Sequence, residues 1–276
     1  MTIAQWLSRA ARELLSHNIH TARLDSEIIL AHTLRRSRTW LHAHGDEPLD
    51  RRRQDIGDAR VSLRCDNAPI AYIIGHKEFY GRTFKVTPDT LIPRPESEEI
   101  IEQLGIVLSK QLTPLVPESN IRLVDIGTGS GCLGITAKLE WPAIEVTLID
   151  KSKAALTVAK ENASRLKADL VALHGDLLYG NPAPFNIVVA NLPYVDKEWD
   201  VSPDTRYEPD MALYANDKGL ELIYTLISQL PRHLTRGGVA ILEADPRQHS
   251  AIITAGEKHG LKHITTSGFI VQLRQN

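Results

Sequence analysis

Strand-length apolar runs alternate with helical segments from residue 121 to the end of the chain, and this alternation constrains the fold more than any other feature. The apolar runs have the length of strands, and the segments between them carry apolar residues at helical spacing. Such alternation is typical of a parallel sheet with helices on both faces. The predicted strands are 121–126, 145–149, 170–173, 186–190, 238–243, 261–266 and 269–273, and the predicted helices are 132–139, 153–166, 220–233 and 246–259.

The first 75 residues differ from the rest of the chain, because their apolar residues have helical spacing throughout. The predicted helices are 3–15, 22–34, 37–42 and 50–65, which together would form a small bundle. Residues 1–87 hold 14 Lys and Arg against 10 Asp and Glu, so this part of a chain with net charge −2 is basic. Three arginines, 51–53, open the fourth helix. We interpret them as a solvated face, with a docking surface for an acidic partner as the alternative.

The composition excludes several classes of protein. The chain of 276 residues is 42% hydrophobic and nearly neutral overall, so it is globular and does not hold nucleic acid by bulk electrostatics alone. No apolar run reaches the length of about 18 residues that a membrane span needs, and the first residues do not resemble a signal peptide. Cys65 and Cys132 are too few for a disulfide framework or a zinc site. We therefore expect a cytoplasmic protein without a metal.

A connecting stretch separates the helical region from the region of alternating strands and helices. Residues 79–86 place aromatic and β-branched residues around Gly81, which predicts a hairpin. Pro93 and Pro95 forbid a helix before residue 95, and the acidic residues that begin at Glu96 indicate that the next helix starts there.

A glycine-rich loop closes the first strand of the alternating region. Gly127, Gly129 and Gly131 have the spacing G-x-G-x-G, and Cys132 occupies the place where a dinucleotide fingerprint would have glycine. Glycines at such a turn let the backbone approach a ligand without side-chain obstruction. Asp125, just before the loop, suits a ligand with a cationic centre better than a pyrophosphate.

Two further acidic residues end the next two predicted strands. Asp150 lies 23 residues after Gly127, a distance at which a carboxylate accepts the protons of both ribose hydroxyl groups. Asp176 ends the third strand, where it would meet an adenine amino group. Together with the loop, these acids imply S-adenosylmethionine as the ligand. The predicted cofactor-binding residues are Asp125, Gly127, Thr128, Gly129, Ser130, Gly131, Asp150, Asp176, Leu177 and Asn191.

A second motif, Asn191-Leu192-Pro193-Tyr194, follows the fourth strand of the alternating region. In an open parallel sheet, ligands meet the chain at the strand ends. Asn191 offers an acceptor and two N–H donors, Pro193 stiffens the turn and Tyr194 offers a flat face on which a planar group would stack. These features suit an amino group attached to a planar carbon, so we predict that Asn191, Leu192, Pro193 and Tyr194 are catalytic.

At these residues the chain resembles the release factor glutamine methyltransferases, the HemK group. The resemblance covers nearly the whole chain and rests on residues 75–81, 90–98, 125–131, 191–194 and 206–213. The Ile-Pro-Arg-Pro-Glu sequence within 90–98 is its most discriminating part, because generic methyltransferases lack it.

The resemblance implies a Rossmann-like α/β fold, with the seven-stranded sheet of S-adenosylmethionine-dependent methyltransferases and a small N-terminal helical bundle. It implies a helical substrate-recognition domain over 1–75, a hairpin linker over 76–95 and a methyltransferase domain over 96–276. The implied activity is N5-methylation of the glutamine in the Gly-Gly-Gln motif of peptide chain release factors, by a monomer without nucleic-acid or membrane partners. The implied substrate-binding residues are Arg94, Glu96, Asn191, Leu192, Pro193, Tyr194 and Glu208.

The chain departs from the family pattern in three places. Leu192 replaces the first proline of Asn-Pro-Pro-Tyr, but that position supplies a backbone carbonyl group, which leucine also has. Residues 242–248 lack the glycines that are common there, and residues 267–274 lack the usual Asp…Arg pattern.

Two other functions stay open at the level of sequence. Asn-Leu-Pro-Tyr is also similar to the motif of ribosomal RNA adenine dimethylases, so the alternative is an adenine N6-methyltransferase that acts on RNA or DNA. Its target domain would be basic and rich in aromatic residues, whereas only 5% of this chain is aromatic. The third hypothesis is a non-catalytic cofactor-binding or scaffold protein, against which Asn191, Pro193 and Tyr194 argue.

Overall fold

The computed structural model describes residues 1–112, 117–180 and 184–276. This part of the chain folds as two compact units, each with a hydrophobic core of its own. Unit 1 comprises residues 1–76 and 201–207, and unit 2 comprises residues 77–200 and 208–276.

Unit 1 is the helical bundle that the apolar spacing predicts. Its helices are α1 (Ile3–Ser16), α2 (Ala22–Leu34), α3 (Arg38–Ala43), α4 (Arg51–Cys65) and α5 (Ile70–Ile74). α1 begins at a capping box, in which Thr2 and Gln5 exchange hydrogen bonds. The fully buried Trp6 of α1 donates its indole N–H to Asp58 of α4 over 2.7 Å. Gly57 allows this close approach, because a Cβ atom there would lie 2.7 Å from the Trp6 ring.

Two features of unit 1 are not apparent from the sequence pattern. The five residues of α5 are too few to display a period of 3.6 residues, so periodicity does not predict this helix. The segment 201–207 lies far away in sequence, yet it belongs to this unit. The backbone oxygen of Asp66 accepts hydrogen bonds from the side chains of Arg206 and Tyr207, which holds this segment in unit 1.

Unit 2 contains, among the residues that the structure describes, the expected seven-stranded sheet and a separate two-stranded hairpin. The strands are β1 (His76–Phe79), β2 (Arg82–Lys85), β3 (Arg122–Ile126), β4 (Glu145–Asp150), β5 (Val171–His174), β6 (Phe185–Ala190), β7 (Leu234–Glu243), β8 (Leu261–Ser267) and β9 (Ile270–Gln275). β1 and β2 form the predicted hairpin, although its first strand begins earlier than expected. The α/β fold class is therefore confirmed.

Helices follow the strands of unit 2 in the predicted alternation. They are α6 (Glu98–Val107), α7 (Cys132–Glu140), α8 (Lys153–Leu166), α9 (Asp210–Leu213), α10 (Asn216–Gly219), α11 (Glu221–His233) and α12 (His249–Lys258). Both α6 and α12 follow a 3₁₀ turn, Pro95–Ser97 and Pro246–Gln248 respectively, so the helices predicted from these prolines begin in a tighter geometry. Alternate residues of β6 belong to different apolar clusters, which means that both faces of the sheet are covered.

β7 differs from the prediction at its start. The expected strand was 238–243, but the strand begins at Leu234. Gly237, with φ +77°, lies inside it, and the pairing of β7 with β6 shifts between Phe185 and Ile187. Gly237 and Gly238 therefore mark a bulge within the strand rather than its beginning.

The strand order places the site. The order is β5-β4-β3-β6-β7-β9-β8, and β3 pairs in parallel with both β4 and β6. The chain thus winds away from β3 in both directions, and a crevice opens at the carboxyl ends of the strands at such a switch point. The loop after β3 and the turn after β6 carry the two sequence motifs.

Candidate active site

A cavity of about 490 Å³ lies in unit 2 at the carboxyl ends of β3, β4 and β6. Its lining is mainly apolar, with a small number of polar groups, as is usual for a small-molecule site. The predicted site residues that line it are Arg94, Gly127, Thr128, Gly129, Ser130, Asp150, Asp176, Leu177, Asn191, Leu192 and Pro193. The predicted site residues that the described lining does not include are Glu96, Asp125, Gly131, Tyr194 and Glu208.

The glycine loop, residues 127–131, forms one wall of the cavity. Gly127, Gly129 and Gly131 all have positive φ, which residues with a side chain rarely adopt. A Cβ atom on Gly129 would have no neighbour within 4 Å, so the cavity extends over this residue. A Cβ atom on Gly127 would lie 2.9 Å from the Leu192 side chain. The glycines thus bring the loop against the turn after β6 and leave open space above its middle.

Asp125 braces the glycine loop from behind. Its side chain is fully buried, and Oδ2 accepts hydrogen bonds from the Thr128 hydroxyl at 2.6 Å and from the Gly134 N–H at 3.0 Å. Burial raises the pKa of Asp125 to about 6, and the hydrogen bond from Thr128 opposes that rise. Asp125 was expected to face a cationic ligand, but it does not reach the cavity, because its carboxylate turns back towards the loop.

Asp150 ends β4 at the cavity. Its Oδ2 accepts the Gly129 N–H at 2.8 Å and its Oδ1 accepts the Ser152 N–H at 2.8 Å. Burial raises the pKa of Asp150, and these backbone hydrogen bonds lower it again in part. Each carboxylate oxygen can accept a further hydrogen bond, so Asp150 supports the loop and still has acceptor capacity for a ligand.

Asp176 and Leu177 follow β5 at the edge of the cavity. The Asp176 carboxylate accepts a hydrogen bond from the Lys151 ammonium group at 2.7 Å, and both side chains are largely exposed. This hydrogen bond raises the pKa of Lys151. Leu177 has φ +52°, an uncommon backbone conformation for a leucine, and is buried against the apolar lining.

The Asn191 turn, residues 191–194, forms the facing wall. The Asn191 amide nitrogen donates to the Ser97 hydroxyl oxygen at 2.9 Å. Asn191 lines the cavity, and no described residue donates to its Oδ1, which is therefore available as an acceptor. The Gln248 amide donates to the Tyr194 carbonyl oxygen at 2.8 Å, and this fixes the end of the turn. Leu192 is buried beside Gly127.

Tyr194, which is predicted to offer a stacking surface, is not among the described residues that line the cavity. Its hydroxyl group donates to Glu243 Oε1 at 3.2 Å, and neither residue is among the described lining residues. Burial and the neighbouring Glu243 raise the pKa of Tyr194 above its usual value. A largely buried phenol group needs a hydrogen-bond partner, and the bond to Glu243 ties the Asn191 turn to the end of β7.

Arg94 lies on the cavity wall and is held by the buried Glu208. One carboxylate oxygen of Glu208 accepts from the Arg94 guanidinium group, and the other accepts the Ile92 N–H at 3.0 Å. Glu208 thus shapes the wall through Arg94 and does not itself face the cavity. Glu96 is exposed in the middle of the 3₁₀ turn and is not among the described lining residues.

Three residues of this site have no counterpart among the sequence predictions. Ser97, Gln248 and Glu243 are each at most 3% exposed, and each is bonded to or placed against the Asn191 turn. The sequence carries one usable signal, since Glu243 is an acidic residue at the end of an apolar strand. Ser97 and Gln248 carry none, because their partners lie far away in sequence.

Searches for other kinds of site give negative results within the described residues. These residues contain no cluster of three or more His, Cys, Asp or Glu that could hold a metal ion. No described helix is long and apolar enough to cross a membrane.

Two family models match the chain. Residues 5–75 match the PrmC N-terminal domain, and residues 107–205 match the methyltransferase small domain. The first match falls in unit 1, and the second includes both the glycine loop and the Asn191 turn.

The chain is similar to curated proteins over most of its length. It is 36% identical over 258 residues to a release factor glutamine methyltransferase of Koribacter versatilis, which covers 89% of each chain. It is 31% identical to the release factor glutamine methyltransferase of Salmonella typhimurium, over 96% of this chain and 94% of that protein. Among solved structures, a Pyrococcus furiosus methyltransferase shares the fold, with a TM-score of 0.53 and 18% identity over 79% of this chain and 98% of that one.

Proposed function

We propose, since the chain belongs to the release factor glutamine methyltransferase family, that it transfers a methyl group from S-adenosylmethionine to the side-chain amide nitrogen (N5) of the glutamine in the Gly-Gly-Gln motif of peptide chain release factors. Membership of this family confirms the resemblance read from the sequence. The relatives carry a name for glutamine methylation, so this function is favoured over methylation of adenine.

The residues of the cavity fit S-adenosylmethionine. Gly129 leaves open space where any side chain would intrude, and Asp150 offers carboxylate acceptors for the hydroxyl groups of a ribose. Asp176 offers an acceptor for an amino group, and the apolar lining suits an adenine ring. When bound, the cofactor supplies a methyl group activated by a sulfonium centre. The residues of the chain that would hold it are those of the glycine loop, Asp150, Asp176 and Leu177.

The observation that supports the proposal most is the hydrogen bonding of the Asn191 side chain. Asn191 lines the cavity, its amide nitrogen donates to Ser97, and no described residue donates to its Oδ1. A glutamine amide nitrogen is a poor nucleophile, because its lone pair is delocalised into the carbonyl group. Acceptors aimed at its two N–H bonds, from Asn191 Oδ1 and the Leu192 carbonyl group, would orient that nitrogen and raise its electron density.

Positioning is the main contribution of the protein in this account. Alignment of two reacting groups can supply several kcal/mol of the barrier, so a neutral amide needs no strong base beforehand. The proton on the nitrogen becomes acidic once the nitrogen is alkylated, and it leaves afterwards. Arg94 and Glu208 would serve the target side by holding the cavity wall.

Transfer of a labelled methyl group tests the proposal. Purified enzyme and labelled S-adenosylmethionine are incubated with a release factor, with the same factor carrying Gln→Ala in its Gly-Gly-Gln motif, and with RNA. We expect label in the unmodified factor alone. Label in RNA, or equal label in the Gln→Ala factor, would contradict the proposal.

For unit 1 we propose recognition of the protein substrate without a part in the chemistry. Residues 1–87 carry an excess of basic residues, and Arg52 at the start of α4 is exposed. Arg52→Glu in the full chain should therefore raise KM for the release factor and leave kcat unchanged. Arg236→Glu, an exposed arginine of unit 2, is the matched control. Equal KM values for the two variants would count against this role.

The proposed compartment follows from the proposed substrate, and the monomeric state is a separate proposal. Release factors act on cytoplasmic ribosomes, so the enzyme is proposed to work in the cytoplasm as a monomer that binds the factor directly. Light scattering of the purified protein at assay concentration, with and without the factor, measures the oligomeric state and the formation of the complex.

A further inference from the structure

Glu243 is a buried carboxylate that the chemistry described so far does not use. It ends β7 and is 1% exposed. Its Oε1 accepts the Tyr194 hydroxyl at 3.2 Å, while Oε2 has no hydrogen-bond partner among the described residues. A buried carboxylate with an unpaired oxygen destabilises a fold, so its presence beside the Asn191 turn needs a reason.

Ser97 connects Glu243 to the target side of the cavity. The Ser97 side chain is buried, and its oxygen accepts from the Asn191 amide nitrogen at 2.9 Å. Burial raises the pKa of Glu243 to about 6, and hydrogen bonding by Ser97, Tyr194 and Asn191 works against that rise. The hydrogen bonds from Asn191 to Ser97 and from Tyr194 to Glu243 join these four residues in one buried group around the Asn191 turn.

The donor and acceptor roles in this group follow from the ionised carboxylate. Above its pKa, Glu243 can only accept hydrogen bonds. The single proton of the Ser97 hydroxyl is then drawn to Glu243, and the Ser97 oxygen is left as an acceptor. Asn191 can satisfy that acceptor only with its NH₂ group, so its Oδ1 remains for the cavity.

From this geometry we propose that Glu243 is a positioning residue for methyl transfer: acting through Ser97, it fixes the side-chain amide of Asn191 with its oxygen towards the target. The proposal rests on the function proposed above and deepens it. The reverse orientation of Asn191 would present an NH₂ group to the NH₂ group of the target glutamine. Two sets of donors facing each other cannot form a hydrogen bond, so the orientation decides whether the target amide binds productively.

Two variants break the group at different points. In Glu243→Gln the new carboxamide can donate to Ser97, whose hydroxyl then donates to Asn191 Oδ1 and reverses the amide. In Ser97→Ala the Asn191 amide loses its anchor. For each we expect kcat to fall about tenfold or more at saturating release factor, with cofactor affinity unchanged. The double variant should be no worse than the worse single variant, because both act on one interaction.

Matched variants separate positioning from general damage. Ser97→Thr keeps a hydroxyl group and should recover most of the turnover that Ser97→Ala loses. Ser228→Ala removes an exposed helix serine that is not among the described lining residues and should leave turnover unchanged. Unchanged kcat in either Ser97→Ala or Glu243→Gln would overturn the proposal. If Glu243→Gln does not fold, Ser97→Ala decides alone.

A spectroscopic readout tests the inference without any activity. In ¹⁵N-labelled protein, the side-chain NH₂ resonances of Asn191, assigned with Asn191→Ala, report its hydrogen bond to Ser97. We expect them to shift in both Ser97→Ala and Glu243→Gln and to stay in place in Ser228→Ala, with the backbone spectrum otherwise retained. Unmoved resonances would overturn the positioning role. If the two variants show these shifts but the wild-type enzyme does not methylate release factor, the proposed substrate is overturned and the positioning role is retained.

Discussion

The glycine loop and the Asn191 turn face the same cavity, but they are held in place by different means. The loop depends on backbone geometry: glycines at positive φ, and N–H groups donated to Asp150 and to the Ile149 carbonyl oxygen. The turn depends on side chains that approach from other elements, namely Ser97, Gln248 and Glu243. The loop is therefore held by its own backbone and by carboxylates of the neighbouring strands β3 and β4, whereas the turn is held by side chains that lie far away in sequence.

Each of the two regions contains a buried carboxylate, but the two carboxylates have different roles. Asp125 in β3 and Glu243 in β7 are both buried carboxylates whose pKa burial raises to about 6. Asp125 bonds to its own loop within nine residues and makes it rigid. Glu243 lies against side chains of two other segments and controls which of their atoms face the cavity. A buried carboxylate therefore stabilises the shape of the loop in one place and the orientation of an amide in the other.

Removal of the acceptor at the target side should have the largest effect. In Asn191→Ala the amide oxygen that would orient the target nitrogen is lost, so we expect kcat to fall at least about 100-fold, as for loss of a preorganised group at a reacting centre. Calorimetry should find the affinity for S-adenosylmethionine within about threefold of the wild type, since the glycine loop is intact. The exposed Asn120→Ala is the control. A variant that lost cofactor affinity but kept kcat would reverse the assignment of the two walls.

Asp150→Asn tests the other wall. The carboxylate accepts from Gly129 and Ser152 and would accept from the cofactor, and each lost charge-assisted hydrogen bond costs about 1.5–3 kcal/mol. We expect the affinity for S-adenosylmethionine to fall by a factor of about 10 to 100 with kcat nearly unchanged at saturating cofactor. The exposed Asp169→Asn serves as the control. Calorimetry with the same dissociation constant for both variants would remove Asp150 from the site.

The pH dependence of stability should reveal the buried Glu243. Its folded-state pKa, about 6, lies above the usual value of 4.5, so the folded state binds this proton more tightly than the unfolded state. The associated stability is present below pH 4.5 and is lost as the pH rises through about 6. Thermal unfolding of wild type and Glu243→Gln between these limits should diverge by about 2 kcal/mol, with the wild type losing stability. The exposed Glu257→Gln should track the wild type. Parallel curves for wild type and Glu243→Gln would contradict the raised pKa.

Gly129→Ala separates backbone strain from lost space. The residue has φ +56° and an open environment, so alanine adds about 1 kcal/mol of strain and also a methyl group that projects into the cavity. Gly260→Ala has the same combination, φ +78° with no neighbour within 4 Å, but lies outside the cavity lining. Both should lower the melting temperature similarly, and only Gly129→Ala should weaken cofactor binding, by about tenfold. Equal cofactor affinity in the two variants would mean that the space above Gly129 is not used.

Leu192→Pro should have the smallest effect. It restores the commoner family tetrapeptide and retains the carbonyl group that would face the target, while no described residue accepts a hydrogen bond from the Leu192 N–H. Turnover should stay within about threefold of the wild type, with a stability loss of about 1–2 kcal/mol from the buried leucine side chain. A folded but inactive Leu192→Pro would show that the leucine side chain itself shapes the pocket.

The sequence predicted one half of the site better than the other, for a physical reason. The positive-φ glycines and the acids at the ends of β4 and β5 are local features, and they can be recognised from spacing alone. The groups that hold the Asn191 turn are not local. Ser97 lies 94 residues from Asn191, and Gln248 and Glu243 lie 54 and 49 residues from Tyr194. Asp125 and Tyr194 were predicted to contact a ligand for a related reason. Spacing does not reveal that their side chains form hydrogen bonds within the protein, Asp125 with Thr128 and Gly134 and Tyr194 with Glu243.

The location of the transferred methyl group tests the central claim most directly, namely that the Asn191 turn aims transfer at a planar amide. Release factor is incubated with S-adenosylmethionine and either the wild-type enzyme or Asn191→Ala. Tandem mass spectrometry then locates the methyl group in the peptide that contains the Gly-Gly-Gln motif. The account predicts one methyl group on the side-chain nitrogen of the Gly-Gly-Gln glutamine with wild type, and none with Asn191→Ala. A methyl group on another residue, or equal methylation of that glutamine by both proteins, would contradict it.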